Sequence, residues 1–167
     1  MSGRVVFTVG SVLRGDDAAG PLLAKMLENN PAEGWTVIDG GQTPEDELAV
    51  VRRMQPDFLL LVDAADMGEA VGTVCALDED DVMTDFLMTT HSLPMTFLLG
   101  NLRESCRELL FLGIQPGDTS FFAPLTPPVR QAVESLYAWL REGGDVREFQ
   151  RTGGGVDKVS RGVAYEQ

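Results

Sequence analysis

Short aliphatic runs, each followed by a helical pattern, constrain the fold of this chain more than any other feature of its sequence. The runs do not alternate strictly between apolar and polar residues, which is typical of strands buried on both faces of a parallel sheet. They occupy Val5–Val9, Trp35–Ile38, Phe58–Val62 and Leu109–Ile114. Because strands and helices alternate, the sequence predicts an α/β fold: a three-layer sandwich with a mainly parallel, twisted sheet and helices on both faces.

The helical patterns lie between these runs. The clearest is Thr126–Arg141, which begins Thr-Pro-Pro and then repeats apolar residues at helical spacing. The other predicted helices are Pro21–Leu27, Pro44–Met54 and Leu93–Leu102. Val71–Leu77 follows a glycine-containing turn after the third run, and we predict that it is a further strand, antiparallel at an edge of the sheet.

The regular pattern fails after Gly143, so one α/β domain is predicted over residues 1–142. The three consecutive glycines Gly153–Gly155 and the mixed charges around them indicate a flexible tail over residues 143–167. No run of 18 apolar residues occurs, so no membrane span is expected. The N-terminal residues become charged too early for a secretory signal.

The chain carries 26 acidic and 13 basic residues, for a formal net charge of −13. Such a charge repels phosphate backbones, which argues against a nucleic-acid partner.

The two cysteines, Cys75 and Cys106, form no CxxC motif and no disulfide framework. This usage fits a reducing compartment, so we expect a cytoplasmic protein whose two thiols are buried and inert.

Ligands of open α/β sheets bind outside the carboxyl ends of the strands, so polar residues directly after each run are the candidate site residues. In chain order these are Asp16, Asp17, Asp39, Asp63, Asp66 and the only histidine, His91. Carboxylates and an imidazole can hold a divalent transition metal and leave positions open for water or substrate. Each residue also has a structural explanation, because the aspartates can cap helices or close strands and the histidine can be a cap.

Other chemistries have weaker support in the sequence. The loop Gly10–Gly20 does not match the GxGxxG pattern of dinucleotide sites, and it lacks the lysine of a phosphate-binding loop. No GxSxG nucleophile elbow occurs. A serine or cysteine nucleophile would need to be brought beside His91 by the fold, and sequence adjacency of Ser92 gives no such geometry.

Five segments resemble, in order and spacing, those of the nickel-iron hydrogenase maturation endopeptidases. The resemblance extends from Val5 to about Leu140, and it is closest to the endopeptidases that process the large subunit of the hydrogenase in formate hydrogenlyase. The segments are VGSVLRGDDAAGPLLAKML, VIDGGQTPEDEL, LLLVDAADMG, MTTHSLPMTFLL and LFLGIQPG. Two departures stand out, since Ser11 replaces the usual asparagine and Asp17 stands where some relatives have glutamate.

The resemblance implies a metal-dependent endopeptidase that removes the C-terminal extension of a hydrogenase large-subunit precursor after nickel insertion. It assigns catalysis and metal binding to Asp17, Asp63 and His91, with the nickel supplied by the substrate. Asp16 is the alternative ligand, although we expect it to face a helix start instead. We further expect a monomer whose partner is the precursor.

Two other functions stay open at this point. The first is a non-enzymatic nickel-binding chaperone or scaffold that inspects the precursor without cutting it. The second is a hydrolase of similar sandwich fold, such as peptidyl-tRNA hydrolase, and the charge of −13 argues against its tRNA substrate.

Overall fold

Five strands form one sheet in the part of the chain that the computed structural model describes, namely residues 3–78 and 94–151. The sheet order is β2-β1-β3-β5-β4, in which β4 pairs antiparallel with β5 and the other neighbours pair in parallel. The strands are β1 (Arg4–Val9), β2 (Trp35–Gly41), β3 (Phe58–Ala64), β4 (Val74–Leu77) and β5 (Glu108–Ile114). The predicted mainly parallel sheet and its antiparallel edge strand are therefore confirmed.

Helices cover both faces of this sheet. They are α1 (Ala19–Asn29), α2 (Leu48–Met54), α3 (Met95–Arg103) and α4 (Pro127–Arg141), with short 3₁₀ turns over Gly15–Ala18, Pro44–Glu47 and Val146–Glu148. Residues of α1 and α4 share one apolar cluster with one face of the sheet, and residues of α2 and α3 share a second cluster with the other face. Within the described ranges, no helix has the length and apolar character needed to cross a membrane.

The strands divide their side chains between these two clusters. Val6 and Leu60 pack toward α1 and α4, whereas Val5 and Leu61 pack toward α2 and α3. Successive side chains of a strand point to opposite faces, so a strand covered on both sides must be apolar throughout. All seven residues of β3 are buried for this reason, and each buried leucine contributes about 1.5–3 kcal/mol to the free energy of unfolding.

The segment after α4 packs on the domain, so the prediction of a flexible tail beginning at residue 143 is wrong for residues 143–151. Val146 and Phe149 are buried in the cluster that contains α1 and α4. The N–H of Ala76 donates a hydrogen bond to the carbonyl of Gln150 at 2.8 Å. Edge strands present unpaired backbone groups, and this segment covers part of the edge that β4 would otherwise expose. Residues 152–167 of the predicted tail lie outside the described residues.

Candidate active site

Asp17 lies in the 3₁₀ turn that leads from the end of β1 into α1. A Cβ atom on Gly10 would lie 2.1 Å from the carbonyl oxygen of Asp17, so only glycine allows the turn to fold so closely onto the strand end. The N–H of Ser11 donates to Oδ2 of Asp17 at 2.9 Å, and the aspartate is 2% exposed. The side chain is therefore held at the carboxyl end of β1. Ser11, which stands in place of the family's asparagine, also uses its side chain in this turn, because its hydroxyl oxygen accepts a hydrogen bond from the N–H of Leu13 at 3.2 Å.

Asp63 is the sixth residue of β3 and is fully buried, with 0% exposure. It stands opposite Gly113 of β5, where a Cβ atom would lie 2.8 Å from a methyl carbon of Leu77, so the packing against β4 requires glycine at this position. Strand alternation places Asp63 on the same face of the sheet as Leu59 and Leu61, the face covered by α2 and α3.

Asp17 and Asp63 come from neighbouring strand ends at one edge of the sheet. Strands β1 and β3 pair in parallel with Thr8 opposite Val62, so Asp63 is one residue beyond the last pair of this register. The 3₁₀ turn that carries Asp17 also contacts β3. The structure thus brings both predicted carboxylates to the carboxyl edge of the sheet.

Two carboxylates with so little exposure form an electronegative site. Removing a carboxylate from water costs free energy unless it gains hydrogen bonds or a cation, and carboxylate oxygens are ligands of divalent metals. The third predicted ligand, His91, lies outside the described residues. Among the residues that are described, no group of three or more histidine, cysteine, aspartate or glutamate side chains is placed to hold a metal ion.

Asp16, the alternative ligand, binds protein groups instead. Its Oδ1 accepts from the N–H of Thr126 at 2.7 Å, and its Oδ2 accepts from the hydroxyl of Thr126 at 2.9 Å and from the N–H of Gly117 at 2.8 Å. Thr126 is the residue directly before α4. Asp16 therefore faces a helix start, as we expected, but the helix is α4 rather than the adjacent α1.

Gln115 is not among the residues predicted for the site, yet it organises the loop that follows Asp63. Its Oε1 accepts from the N–H of Met67 at 2.6 Å and of Glu69 at 3.2 Å, and its Nε2 donates to Oδ1 of Asp66 at 3.1 Å. The residue is nearly completely buried. The sequence signal that could have identified it is a long polar side chain directly after a buried strand.

The remaining candidates have local roles in the structure. Asp39 is exposed, and its Oδ1 accepts from the hydroxyl of Thr8 at 3.3 Å and from the N–H of Gly41 at 3.1 Å. Asp66 is held by Gln115, as described above. Asp39 therefore fixes the end of β2 against β1, and Asp66 belongs to the loop after β3, at the same end of the sheet as Asp17 and Asp63.

Neither cysteine has the features of a nucleophile. Cys75 is buried in β4. Cys106 precedes β5 and so lies toward the amino edge of the sheet, opposite the edge that carries Asp17 and Asp63. Burial raises the pKa of the Cys106 thiol, which lowers the thiolate fraction at neutral pH.

Comparison with known proteins identifies close relatives of this chain. Hydrogenase 3 maturation protease of Escherichia coli strain K12 is 43% identical over 144 residues, which are 84% of this chain and 92% of the relative. A putative hydrogenase maturation protease of Methanocaldococcus jannaschii is 28% identical over 147 residues, or 83% of this chain and 86% of that protein.

Solved structures agree with these sequence relatives. A crystal structure of the hydrogenase 3 maturation protease has a TM-score of 0.83 at 40% identity, over 90% of this chain and 97% of that one. A solution structure of the endopeptidase HycI from Escherichia coli has a TM-score of 0.81 at 38% identity, over 94% of this chain and all of that one. Residues 21–141 match the family model described as HycI, hydrogenase maturation protease. The chain therefore belongs to the hydrogenase maturation protease family.

Proposed function

We propose that the protein is an endopeptidase that removes the C-terminal extension from the large-subunit precursor of a nickel-iron hydrogenase once nickel has been inserted. Family membership supports the protease activity and a hydrogenase precursor as its substrate. The observation that supports the proposal within this structure is that Asp17 and Asp63 follow the ends of two neighbouring parallel strands.

The two carboxylates, together with His91, bind the nickel that the precursor already holds. Hard anionic oxygens and an imidazole suit a divalent metal, and a set of three leaves positions for ligands of the substrate. Nickel is thus part of the substrate, and the protease recognises a precursor whose metal centre is loaded. A precursor without nickel would offer the carboxylates no cation, so the negative site would repel acidic groups of the approaching polypeptide.

Metal binding also supports hydrolysis at this edge. A bound divalent ion lowers the pKa of coordinated water and polarises a carbonyl oxygen, which are the two requirements for attack on a peptide bond. Asp17 and Asp63 then serve as ligands and not as nucleophiles. We further propose that the enzyme acts in the cytoplasm as a monomer. We also propose that it has no nucleic-acid partner, because the charge of −13 disfavours contact with phosphate backbones.

The test is cleavage of purified precursor, prepared with and without nickel and analysed by mass spectrometry. We expect loss of the C-terminal peptide only from the nickel-loaded precursor. Equal cleavage of both forms would contradict metal recognition, and no cleavage of either would contradict the protease assignment in favour of a nickel-binding chaperone or scaffold.

Metal binding is tested separately by titration calorimetry with a nickel or cadmium salt. If His91 is a ligand, His91→Ala should weaken binding about tenfold or more, because an open position replaces an imidazole nitrogen. Unchanged affinity in this variant would remove His91 from the proposed site.

A further inference from the structure

Four exposed apolar side chains lie together on the two loops that flank Asp17. They are Val12, Leu13, Phe121 and Phe122, which we call the rim patch. Six large apolar residues are exposed in the described part of the chain, and these four are among them. The two loops touch directly, because the N–H of Phe122 donates to the carbonyl of Leu13 at 2.7 Å, and the rings of Phe121 and Phe122 have centroids 5.8 Å apart.

Arg14 connects the rim patch to the turn that carries Asp17. The guanidinium carbon of Arg14 lies 4.5 Å from the centre of the Phe121 ring, a cation–π contact between the two loops. The carbonyl of the same Arg14 accepts a hydrogen bond from the N–H of Asp17 at 2.9 Å. The patch is therefore attached directly to the turn that carries Asp17.

Phe122 has a backbone conformation that its side chain does not favour. Its φ is +64°, in the left-handed region, where a bulky residue costs about 1 kcal/mol or more and where glycine or asparagine is usual. The ring is 81% exposed, so packing within the chain does not compensate for this strain. Strained residues of this kind cluster at binding and catalytic sites.

Hydrogen bonds of the buried Asp16 also hold the two loops together. The three hydrogen bonds that Asp16 accepts from Gly117 and Thr126 connect the loop before α1 to the loop before α4. The carbonyl of Asp118 accepts a further bond from the N–H of Asp16 at 2.9 Å. The rim patch is therefore presented by a preorganised pair of loops, which reduces the entropy lost when a partner binds.

We propose that the rim patch is the docking surface for apolar residues of the hydrogenase precursor next to the bond that is cut. This inference rests on the proposed function and deepens it. The exposed side chains of the patch are apolar, so they match apolar rather than charged residues of the precursor, and exposed aromatic residues with an arginine are the types enriched at protein interfaces. Docking at this surface holds the precursor so that its metal centre and scissile bond reach Asp17 and Asp63.

The test is the steady-state kinetics of Phe122→Asn and Phe122→Tyr with nickel-loaded precursor. Asparagine tolerates the left-handed conformation, so Phe122→Asn deletes the ring without disturbing the backbone, whereas Phe122→Tyr keeps an apolar ring as the matched control. We expect Phe122→Asn to raise KM about tenfold with kcat within about twofold, and Phe122→Tyr to change KM by less than about threefold. Thermal unfolding should show both variants folded.

An unchanged KM in a folded Phe122→Asn variant would overturn the docking surface. A second outcome would also overturn the docking surface: sedimentation shows that the parent protein is a dimer, and Phe122→Asn is a monomer with the same KM as the parent. The patch would then bind a second copy of the chain and not the precursor. If the unmodified enzyme does not cut the precursor at all, the proposed function fails. In that case the affinity of the same variants for the precursor decides on the docking surface alone.

Discussion

Asp16 and Thr126 are 110 positions apart in the sequence, yet both carboxylate oxygens of Asp16 accept hydrogen bonds from Thr126. The bonds come from the backbone N–H and from the hydroxyl, and a third bond comes from Gly117. Charge-assisted bonds to a fully buried carboxylate are among the stronger polar contacts in proteins. This pair therefore fixes the loop that carries Asp17 to the loop that begins α4.

Asp16→Asn should lower the free energy of unfolding by about 1–3 kcal/mol. An asparagine amide would place an NH₂ group against a donor N–H, so at least one bond is lost and a buried donor is left unsatisfied. Chemical denaturation at pH 7 measures the change. Glu28→Gln, an exposed site on α1, is the control and should stay within about 0.5 kcal/mol of the parent protein. A similarly small change in Asp16→Asn would show that the link between the loops is weak.

Asp17→Asn and Asp63→Asn should each slow cleavage of nickel-loaded precursor about 100-fold or more. Asparagine keeps the size and one oxygen of the side chain but deletes the negative charge that binds the metal in the proposed mechanism. Cleavage followed on gels, with circular dichroism to verify folding, gives the result. Full activity in either folded variant would remove that residue from the site.

Cys75→Ala and Cys106→Ala serve as the matched nucleophile controls for this assay. Since neither thiol has a role in the proposed chemistry, both variants should cut the precursor at nearly the parent rate. Serine-directed reagents should likewise leave the activity intact. A folded cysteine variant without activity would count against metal-assisted hydrolysis.

The fold could be predicted from the sequence because strands buried on both faces of a sheet are continuous runs of aliphatic residues. Each predicted run is contained in an observed strand, but β2 extends through Asp39 to Gly41, where polar and glycine residues hide the pairing with β1. The placement of Asp17 and Asp63 at the same end of the sheet could be predicted from the rule that ligands bind at the carboxyl ends of parallel strands. Their selection as ligands depends on the family resemblance and stays a prediction.

Contacts between distant loops could not be predicted in this way. The partners of Asp16 and Gln115 depend on tertiary geometry, and no periodicity encodes them. The packing of residues 143–151 cannot be predicted from the sequence, because only two apolar side chains, Val146 and Phe149, stand among charged neighbours there. Their burial becomes visible only when the sheet edge that they cover is known.

The ion pair between Glu108 and Arg147 should make the attachment of the segment after α4 depend on pH. The two side chains form paired hydrogen bonds of 2.9 Å each. These bonds hold the pKa of Glu108 below its usual value. A carboxylate with a lowered pKa in the folded state stabilises the protein above its unfolded pKa of about 4.3, and this contribution is lost as the pH falls through the folded pKa.

Glu108→Gln should therefore cost about 0.5 kcal/mol at pH 7, a small value because the pair is exposed to solvent and screened. The difference between variant and parent should shrink as the pH falls below the unfolded value of about 4.3, and it should vanish once the pH is below the lowered pKa of the folded Glu108 carboxylate. Urea denaturation at several pH values measures it, with the exposed Glu104→Gln as control. A difference that persists at low pH would point to packing rather than charge.

Gln115→Glu should destabilise the loop after Asp63. Because this loop lies beside the proposed site, the variant should also cut the precursor more slowly. One oxygen of the new carboxylate would still accept hydrogen bonds from the N–H groups of Met67 and Glu69. The other oxygen would replace the Nε2 group that now donates a hydrogen bond to Oδ1 of Asp66 at 3.1 Å. Two carboxylates at this distance repel, so we expect a loss of about 1–3 kcal/mol in the free energy of unfolding at pH 7.

Acid should partly restore the Gln115→Glu variant, and this reversal separates charge repulsion from a steric effect. The repulsion raises the folded pKa of the carboxylate pair above the unfolded value, so the penalty is present at neutral pH and is relieved as the pH falls through that raised pKa. One shared proton then replaces the lost N–H donor. Gln131→Glu, at an exposed position of α4, should behave like the parent protein throughout. If the gap between Gln115→Glu and the parent is the same at pH 5 and pH 7, the loop is held by packing, and Gln115 does not position the residues beside Asp63 through these hydrogen bonds.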